Sequence, residues 1–256
     1  MAHAGATVLK PSVKPSIVLV HGFRGSPLGL EAIAQILRQA GYQVYIPAIP
    51  PFAGAGELSS YQAKDYADFL ARYIRDQNLS RPILIGHSMG SIVVSATAKF
   101  YPQLINHKLV LLSPISTKTA KPFALISPLA AIVPRRIVDY ITTRYLFVPK
   151  DRQLFHSTLE ITHACSEDCP PTRRAIAAAT KFSTNYSIND FPPIQETLLI
   201  AGAKDRLIPQ KQTKVLAQKI QSELKLIPNS GHLHNYERPK ETAKLILEFL
   251  QKRDSN

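Results

Sequence analysis

The sequence lacks any run of 18 or more apolar residues, so it predicts no transmembrane helix. Its first seven residues also lack the charged-then-apolar order of a secretory signal. Hydrophobic residues nevertheless make up 45% of the 256 positions, which is enough for the core of one globular domain that carries an inserted subdomain. We therefore expect a soluble protein of the cytosol.

Cysteine is scarce, since only Cys165 and Cys169 occur and they lie close together. Two thiolates are too few for the usual four-ligand zinc site, even with His163 nearby, so no metal is expected. A local disulfide between the two stays open, although a reducing cytosol favours free thiols.

Acidic residues are also few, with 18 Asp and Glu against 31 Lys and Arg, which gives a formal net charge of +13. Such a charge attracts anionic surfaces at long range. The basic residues are scattered, however, and their densest clusters, at 135–136 and 173–174, accompany no nucleic-acid motif. We expect a solvated basic surface and no nucleic-acid partner, and peripheral contact with an anionic membrane stays open.

Short apolar runs rich in β-branched residues alternate with segments whose apolar residues recur at helical spacing. The predicted strands cover residues 16–20, 43–46, 82–85, 108–112, 197–201 and 223–227. This alternation implies right-handed crossovers and helices on both faces of the sheet. The predicted fold class is α/β, with a doubly wound, mainly parallel sheet of six to eight strands, and ligands of such sheets bind beyond the carboxyl ends of the strands.

The alternation stops between residues 115 and 193. This part is interrupted by prolines, largely helical in pattern and rich in aliphatic and aromatic residues, which argues against disorder. We predict that residues 115–193 form an inserted, mostly helical cap, and that residues 1–114 and 194–256 form the core. Such a cap would wall a pocket with apolar side chains and reduce the water around a reacting group.

A sharp turn is predicted at residues 86–90, Gly-His-Ser-Met-Gly, between a buried strand and an apolar helix. In a G-x-S-x-G elbow the glycines keep side chains out of the strained turn, and the serine hydroxyl projects above the carboxyl edge of the sheet. Ser88 is therefore the candidate nucleophile. The alternative is a tight turn whose serine only caps the helix.

Two further groups follow two other predicted core strands. His232 is the candidate base, because histidine has a pKa suited to taking the serine proton near neutrality. Asp205 is the candidate carboxylate that would fix the histidine tautomer and stabilise the imidazolium. Attack of a serine on a carbonyl group creates a tetrahedral intermediate with a negative oxygen, the oxyanion, which needs hydrogen-bond donors. The backbone N–H groups of Met89 and Phe23 are the candidate donors.

These motifs resemble those of the α/β-hydrolase superfamily, which uses the chain order Ser, Asp, His. The matching stretches are His21-Gly22-Phe23, Gly86-His87-Ser88-Met89-Gly90, Gly202 through Asp205 with Pro209, and Gly231-His232. The chain is similar to capped members such as monoacylglycerol lipases, carboxylesterases and carbon-carbon bond hydrolases, over nearly its whole length apart from the cap. One departure is that only about 15 residues precede the first clear strand, which leaves little room for the antiparallel hairpin that often opens this fold.

The resemblance implies a serine esterase or lipase that cleaves carboxylic esters of small molecules through an acyl-enzyme, without a metal or organic cofactor. The alternatives are a thioesterase, a carbon-carbon bond hydrolase with the same three residues, and a ligand-binding protein without catalysis. The sequence leaves the natural substrate and the oligomeric state open.

Candidate substrate-binding residues are Arg24, His87, Tyr145 and Phe147. Arg24 would meet a carboxylate or phosphate at the pocket mouth, with a solvated arginine as the alternative. The resemblance suggests packing and pocket lining for His87. The two aromatic residues would line an acyl pocket, and packing within the cap explains them equally well. His234 is close to the base but out of register, so we expect a loop residue there.

Overall fold

The computed structural model describes residues 14–116, 146–154, 170–193 and 195–252. Several predicted features lie outside the described residues, namely Tyr145, Cys165, Cys169, His163 and the basic pair at 135–136.

Six parallel strands form one sheet in the described part of the chain, in the order β2-β1-β3-β4-β5-β6. The strands are β1 (Ile17–Val20), β2 (Val44–Tyr45), β3 (Ile83–His87), β4 (Lys108–Leu112), β5 (Glu196–Gly202) and β6 (Glu223–Ile227). Every residue of β1, β3 and β4 is buried, because helices cover both faces of the sheet. This arrangement confirms the predicted α/β class.

Seven α-helices surround the sheet in these residue ranges. They are α1 (Glu31–Gln39), α2 (Ala63–Asp76), α3 (Met89–Phe100), α4 (Arg173–Asn185), α5 (Gln210–Lys219), α6 (His234–Glu237) and α7 (Pro239–Gln251). Short 3-10 segments occur at Pro27–Leu30, Pro102–Leu104, Pro149–Asp151 and Ile188–Asp190.

Successive side chains of a strand point to opposite faces of the sheet. Buried hydrophobic side chains of the strands therefore belong to two clusters, one on each face. On one face, Val18 and Leu84 pack with side chains of α2, α3 and α4. On the other face, Ile17 and Ile85 pack with side chains of α1 and α7. The sheet is therefore the central layer of three.

The second strand is shorter than predicted. It covers Val44–Tyr45 and not residues 43–46, and among the described residues it pairs only with β1. A strand with one neighbour gains fewer ladder hydrogen bonds, and Pro47 cannot donate to a ladder. Beyond it, the N–H of Ile49 donates to the His21 ring instead, at 2.9 Å.

Part of the predicted cap packs on the core. The α4 residues Ala175, Ala179 and Phe182 belong to the same buried cluster as Val18 and Leu84. The division into core and cap stays a prediction.

None of the described helices is both long and apolar enough to cross a membrane. The cytosolic location and the contact with anionic membranes stay predictions from composition.

Candidate active site

Ser88, His232 and Asp205 form one hydrogen-bonded chain. The Ser88 hydroxyl lies 2.9 Å from His232 Nε2, and His232 Nδ1 lies 2.8 Å from Asp205 Oδ2. The three residues follow β3, β6 and β5, whose carboxyl ends meet at one edge of the parallel sheet. All three are buried, with at most 8% of any residue exposed.

Close backbone packing makes glycine necessary on both sides of Ser88. A Cβ atom at Gly86 would lie 2.3 Å from the Gly90 carbonyl oxygen, and one at Gly90 would lie 2.3 Å from the Val20 carbonyl oxygen. Ser88 itself has φ 52° and ψ −117°, a conformation that residues with a side chain rarely adopt. The strained turn holds the hydroxyl at the start of α3, which begins at Met89.

The Asp205 carboxylate has a donor for each oxygen. Oδ1 accepts from the N–H groups of Leu207 and Ile208, both at 2.8 Å, and Oδ2 faces the histidine ring. Because a carboxylate only accepts, His232 Nδ1 carries the proton that it donates to Asp205. His232 Nε2 is then free to accept the proton of Ser88, as a general base requires.

The backbone of His232 is held on both sides. Its N–H donates to the Leu146 carbonyl at 3.0 Å. Its carbonyl oxygen accepts from Ser113 Oγ and from His87 Nε2, each at 3.1 Å. The position of the ring therefore depends on three segments that are distant in sequence.

The loop proposed to supply the second oxyanion donor lies directly against Ser88. A Cβ atom at Gly22 would be only 3.0 Å from Ser88 Cβ. The loop turns through a hydrogen bond from Gly25 N–H to the Gly22 carbonyl at 3.0 Å. The ring of Phe23 packs edge-on against Phe52, with 5.1 Å between ring centres. These contacts place the backbone around Phe23 beside the serine.

His21 anchors this loop as a neutral imidazole. Its Nδ1 donates to the Gly22 carbonyl at 2.9 Å, and its Nε2 accepts from Ile49 N–H at 2.9 Å. Burial lowers the pKa of His21 to about 4, and the hydrogen bond to Gly22 opposes that shift only in part. The ring thus stays uncharged near neutrality and keeps one donor and one acceptor.

Two more buried histidines lie behind the His232 ring. Burial, followed by the proximity of His232, lowers the pKa of His87 to about 3. Burial also lowers the pKa of His234 well below its usual value, and His87 adds to this shift. The ring centre of His87 lies 5.3 Å from that of His232. On its other contact, the His87 ring centre lies 6.0 Å from that of His234. His234 is the first residue of α6 and fully buried, so the expectation of a loop residue was wrong.

The candidate substrate-binding residues occupy different environments. Arg24 is exposed, with φ 54° and its guanidinium 5.8 Å from the Phe23 ring centre. His87 is 5% exposed. Phe147 is 1% exposed and directly follows Leu146, the residue that accepts from His232 N–H. Their contact with a substrate stays a prediction.

A cavity of about 650 Å³ lies between residues 60–62 and the last two turns of α4. Tyr61, Phe182 and Tyr186 are among its lining residues, and none of the site residues that the structure describes is. This cavity is therefore separate from Ser88.

Sequence reasoning missed the residues that hold the His232 loop, above all Glu237 and Ser113. Glu237 is 5% exposed, and its carboxylate accepts from the backbone of two segments. The only sequence signal is an acidic residue a few positions after the candidate base, which is also common at the exposed start of a helix.

The chain is similar to known proteins over most of its length. The family model described as alpha/beta hydrolase family matches residues 17–245. A putative non-heme chloroperoxidase of Synechocystis sp. is 26% identical, over 92% of this chain and 91% of that protein. Monoacylglycerol lipase ABHD6 of Mus musculus is 24% identical, over 94% of this chain and 77% of that protein.

A solved structure shares the fold. The esterase EaEST from Exiguobacterium antarcticum superposes with a TM-score of 0.81 at 16% identity, covering 93% of this chain and 92% of that one.

Proposed function

Because the chain belongs to the alpha/beta hydrolase family, we propose that it is a serine hydrolase that cleaves carboxylic esters of small molecules. The membership confirms the resemblance that the motifs indicated. The observation that carries the proposal is the unbroken hydrogen-bonded chain from Ser88 Oγ through His232 to Asp205.

The reaction begins when Ser88 Oγ attacks the ester carbonyl carbon while His232 Nε2 takes its proton. Asp205 stabilises the imidazolium that forms, at the 2.8 Å contact with Nδ1. The tetrahedral intermediate collapses when His232 returns the proton to the leaving alcohol, which departs. The acyl group is left on Ser88.

Water then completes the cycle. His232 removes a proton from a water molecule as that water attacks the acyl carbon, and the proton passes back to Ser88 when the acid leaves. The proton transfers of both steps thus use Ser88, His232 and water.

The negative oxygen of each tetrahedral intermediate needs donors that are in place before the reaction. The N–H of Met89, at the start of α3, and the N–H of Phe23 are the proposed pair. The short approach of Gly22 to Ser88 supports this assignment, because it brings the two backbone segments together. One such donor is typically worth about 2.7–4 kcal/mol of barrier.

The ester specificity draws on names of similar proteins. The mouse relative is named a monoacylglycerol lipase, and the structural neighbour an esterase. A thioester or an activated carbon-carbon bond would react through the same three residues, and the segment that covers the site would decide between them.

The test is hydrolysis of p-nitrophenyl esters from acetate to palmitate by the wild type, Ser88→Ala and the control Ser80→Ala, together with fluorophosphonate labelling. Ser80 is exposed, so Ser80→Ala makes the same chemical change away from the candidate site. We expect turnover and labelling in the wild type and the control, and neither in Ser88→Ala.

Two results would contradict the proposal. Absence of both labelling and turnover would favour a ligand-binding protein. Labelling of Ser88 without turnover of any ester would favour a thioester or carbon-carbon bond hydrolase. The chain length of the best ester measures the acyl pocket.

A further inference from the structure

Glu237 lies buried at the end of α6 with three donors around its carboxylate. Oε1 accepts from Val148 N–H at 2.7 Å. Oε2 accepts from Gly231 N–H at 2.6 Å and from Ser230 Oγ at 2.5 Å. One side chain therefore joins the loop that carries His232 to Val148, which lies within the predicted cap.

The next residue makes a second link to the same segment. Arg238 Nη2 lies 2.9 Å from Asp151 Oδ2, and this ion pair is mostly buried. Arg238 Nη1 also donates to the Glu237 carbonyl oxygen. Two consecutive residues thus hold residues 148–151 beside the loop of the candidate base.

The loop is also confined by direct backbone contact. A Cβ atom at Gly231 would lie 2.6 Å from the Leu146 carbonyl oxygen, and one at Gly202 would lie 2.0 Å from the Gly231 carbonyl oxygen. Residues 230–231 therefore lie in close contact with the end of β5 on one side and with residues 146–148 on the other. A shift of either neighbour would move His232.

We propose that Glu237 is a positioning residue that fixes His232 against Ser88 by joining the 230–232 loop to residues 146–148. The proposal rests on the proposed function, since it concerns the geometry of that reaction. Its carboxylate acts at a distance from the substrate, through the backbone of Gly231 and through the Leu146 carbonyl that accepts from His232 N–H at 3.0 Å.

A carboxylate is required here because both oxygens face a main-chain N–H group. The amide of glutamine has the same shape but offers only one acceptor oxygen. In either orientation its NH₂ group would face a donor, Val148 N–H or Gly231 N–H, and that backbone group would lose its partner. The substitution Glu237→Gln thus loosens one side of the link without removing bulk.

The experiment compares Glu237→Gln with Glu241→Gln, the same chemical change at an exposed position of α7. Active sites are counted by fluorophosphonate titration of Ser88, and kcat and KM for p-nitrophenyl acetate are expressed per titrated site. Urea unfolding of each variant is measured in parallel. We expect kcat of Glu237→Gln to fall about 10- to 100-fold with a much smaller change in KM, and Glu241→Gln to match the wild type.

Ser230→Ala is the second variant, because it removes one of the three donors and keeps both backbone donors. It should lower kcat less than Glu237→Gln does. If Glu237→Gln does not fold, an unchanged kcat per site in Ser230→Ala overturns the proposal.

The remaining outcomes separate the two claims. A normal kcat per titrated site in Glu237→Gln, even with weaker resistance to urea, would assign the residue a purely structural role and overturn the proposal while the proposed function stands. A wild type that neither reacts with fluorophosphonate at Ser88 nor turns over esters overturns both.

Discussion

The ring of His87 donates a hydrogen bond to the carbonyl oxygen of His232, with 3.1 Å between His87 Nε2 and that oxygen. The residue before the candidate nucleophile thus supports the backbone of the candidate base. Low pKa and hydrogen bonding agree here, because a neutral His87 ring with its proton on Nε2 can donate to a carbonyl.

Ser113 Oγ donates to the same carbonyl oxygen at 3.1 Å, so that oxygen keeps one donor when either side chain is removed. We predict that His87→Leu and Ser113→Ala each lower the free energy of unfolding by about 1 kcal/mol. The double variant should lose more than the sum, by about 1 kcal/mol, because the buried carbonyl then has neither donor.

Urea unfolding of the four proteins measures this coupling. His87→Gln is the matched control, since its amide can still donate from a similar position. Additive losses would show that the two donors act independently of each other.

Asp205→Asn tests the tautomer of His232. Because Oδ1 accepts from two backbone N–H groups, the asparagine oxygen will occupy that side and its NH₂ group will face His232 Nδ1. The ring must then carry its proton on Nε2, where it cannot accept from Ser88. We predict a loss of kcat of about a thousandfold or more.

The comparison is with Asp76→Asn, which is exposed at the end of α2 and should keep full activity. Hydrolysis of p-nitrophenyl acetate measures both. An Asp205→Asn variant within a few-fold of the wild type would exclude Asp205 as the partner of the base.

The sequence was sufficient for the central strands and for the three residues of the hydrogen-bonded chain. Fully buried parallel strands read as continuous apolar runs, and parallel strands bring their carboxyl ends to one edge. Ser88 and Asp205 follow two such runs, and His232 follows β6, where apolar residues alternate with charged ones. Because all three strands are parallel members of one sheet, these residues could be grouped although Ser88 and His232 are 144 positions apart.

The supporting contacts could not be found in that way. Glu237 binds Val148, 89 positions away, and Ser113 binds His232, 119 positions away. In both pairs one partner is a backbone atom, which every residue possesses, so no residue type marks the contact. The length of β2 was overestimated for a related reason, since the end of an edge strand depends on its neighbour and not on its own apolar residues.

We predict that the free energy of unfolding falls in mild acid, because the folded protein keeps His21 and His87 neutral. Burial lowers the pKa of His21 to about 4 and that of His87 to about 3, from 6.5 in an unfolded chain. As the pH falls below 6.5, the unfolded chain binds protons at these rings and the folded chain does not. The free energy of unfolding should therefore fall, by up to about 1.4 kcal/mol per pH unit for each histidine, until the folded pKa is reached.

Urea unfolding between pH 7.5 and 5 measures this slope above the range in which most carboxylates titrate. His87→Gln should make the slope shallower, because one depressed histidine is gone. A free energy of unfolding that stays constant from pH 6.5 to 5 would contradict the assignment of neutral buried rings.

Phe182 connects the predicted cap to the core. Its ring in α4 is 2% exposed, and its centre lies 4.4 Å from that of Tyr66 in α2. Truncation to alanine leaves a cavity in the cluster that covers one face of the sheet, so Phe182→Ala should lower the free energy of unfolding by about 3–5 kcal/mol. Phe100→Ala, at a ring that is 39% exposed, is the control and should cost far less.

Urea unfolding of Phe182→Ala also shows whether α4 unfolds together with the core or separately from it. If α4 is part of the cooperative core, urea unfolding of Phe182→Ala followed by circular dichroism will remain a single transition at lower urea. If α4 instead detaches as an independent lid, the substitution would leave the main transition where it is in the wild type, because the sheet and its other helices would unfold without it. The contact with fully buried Tyr66 favours the first result, since removing α4 would expose that ring to water.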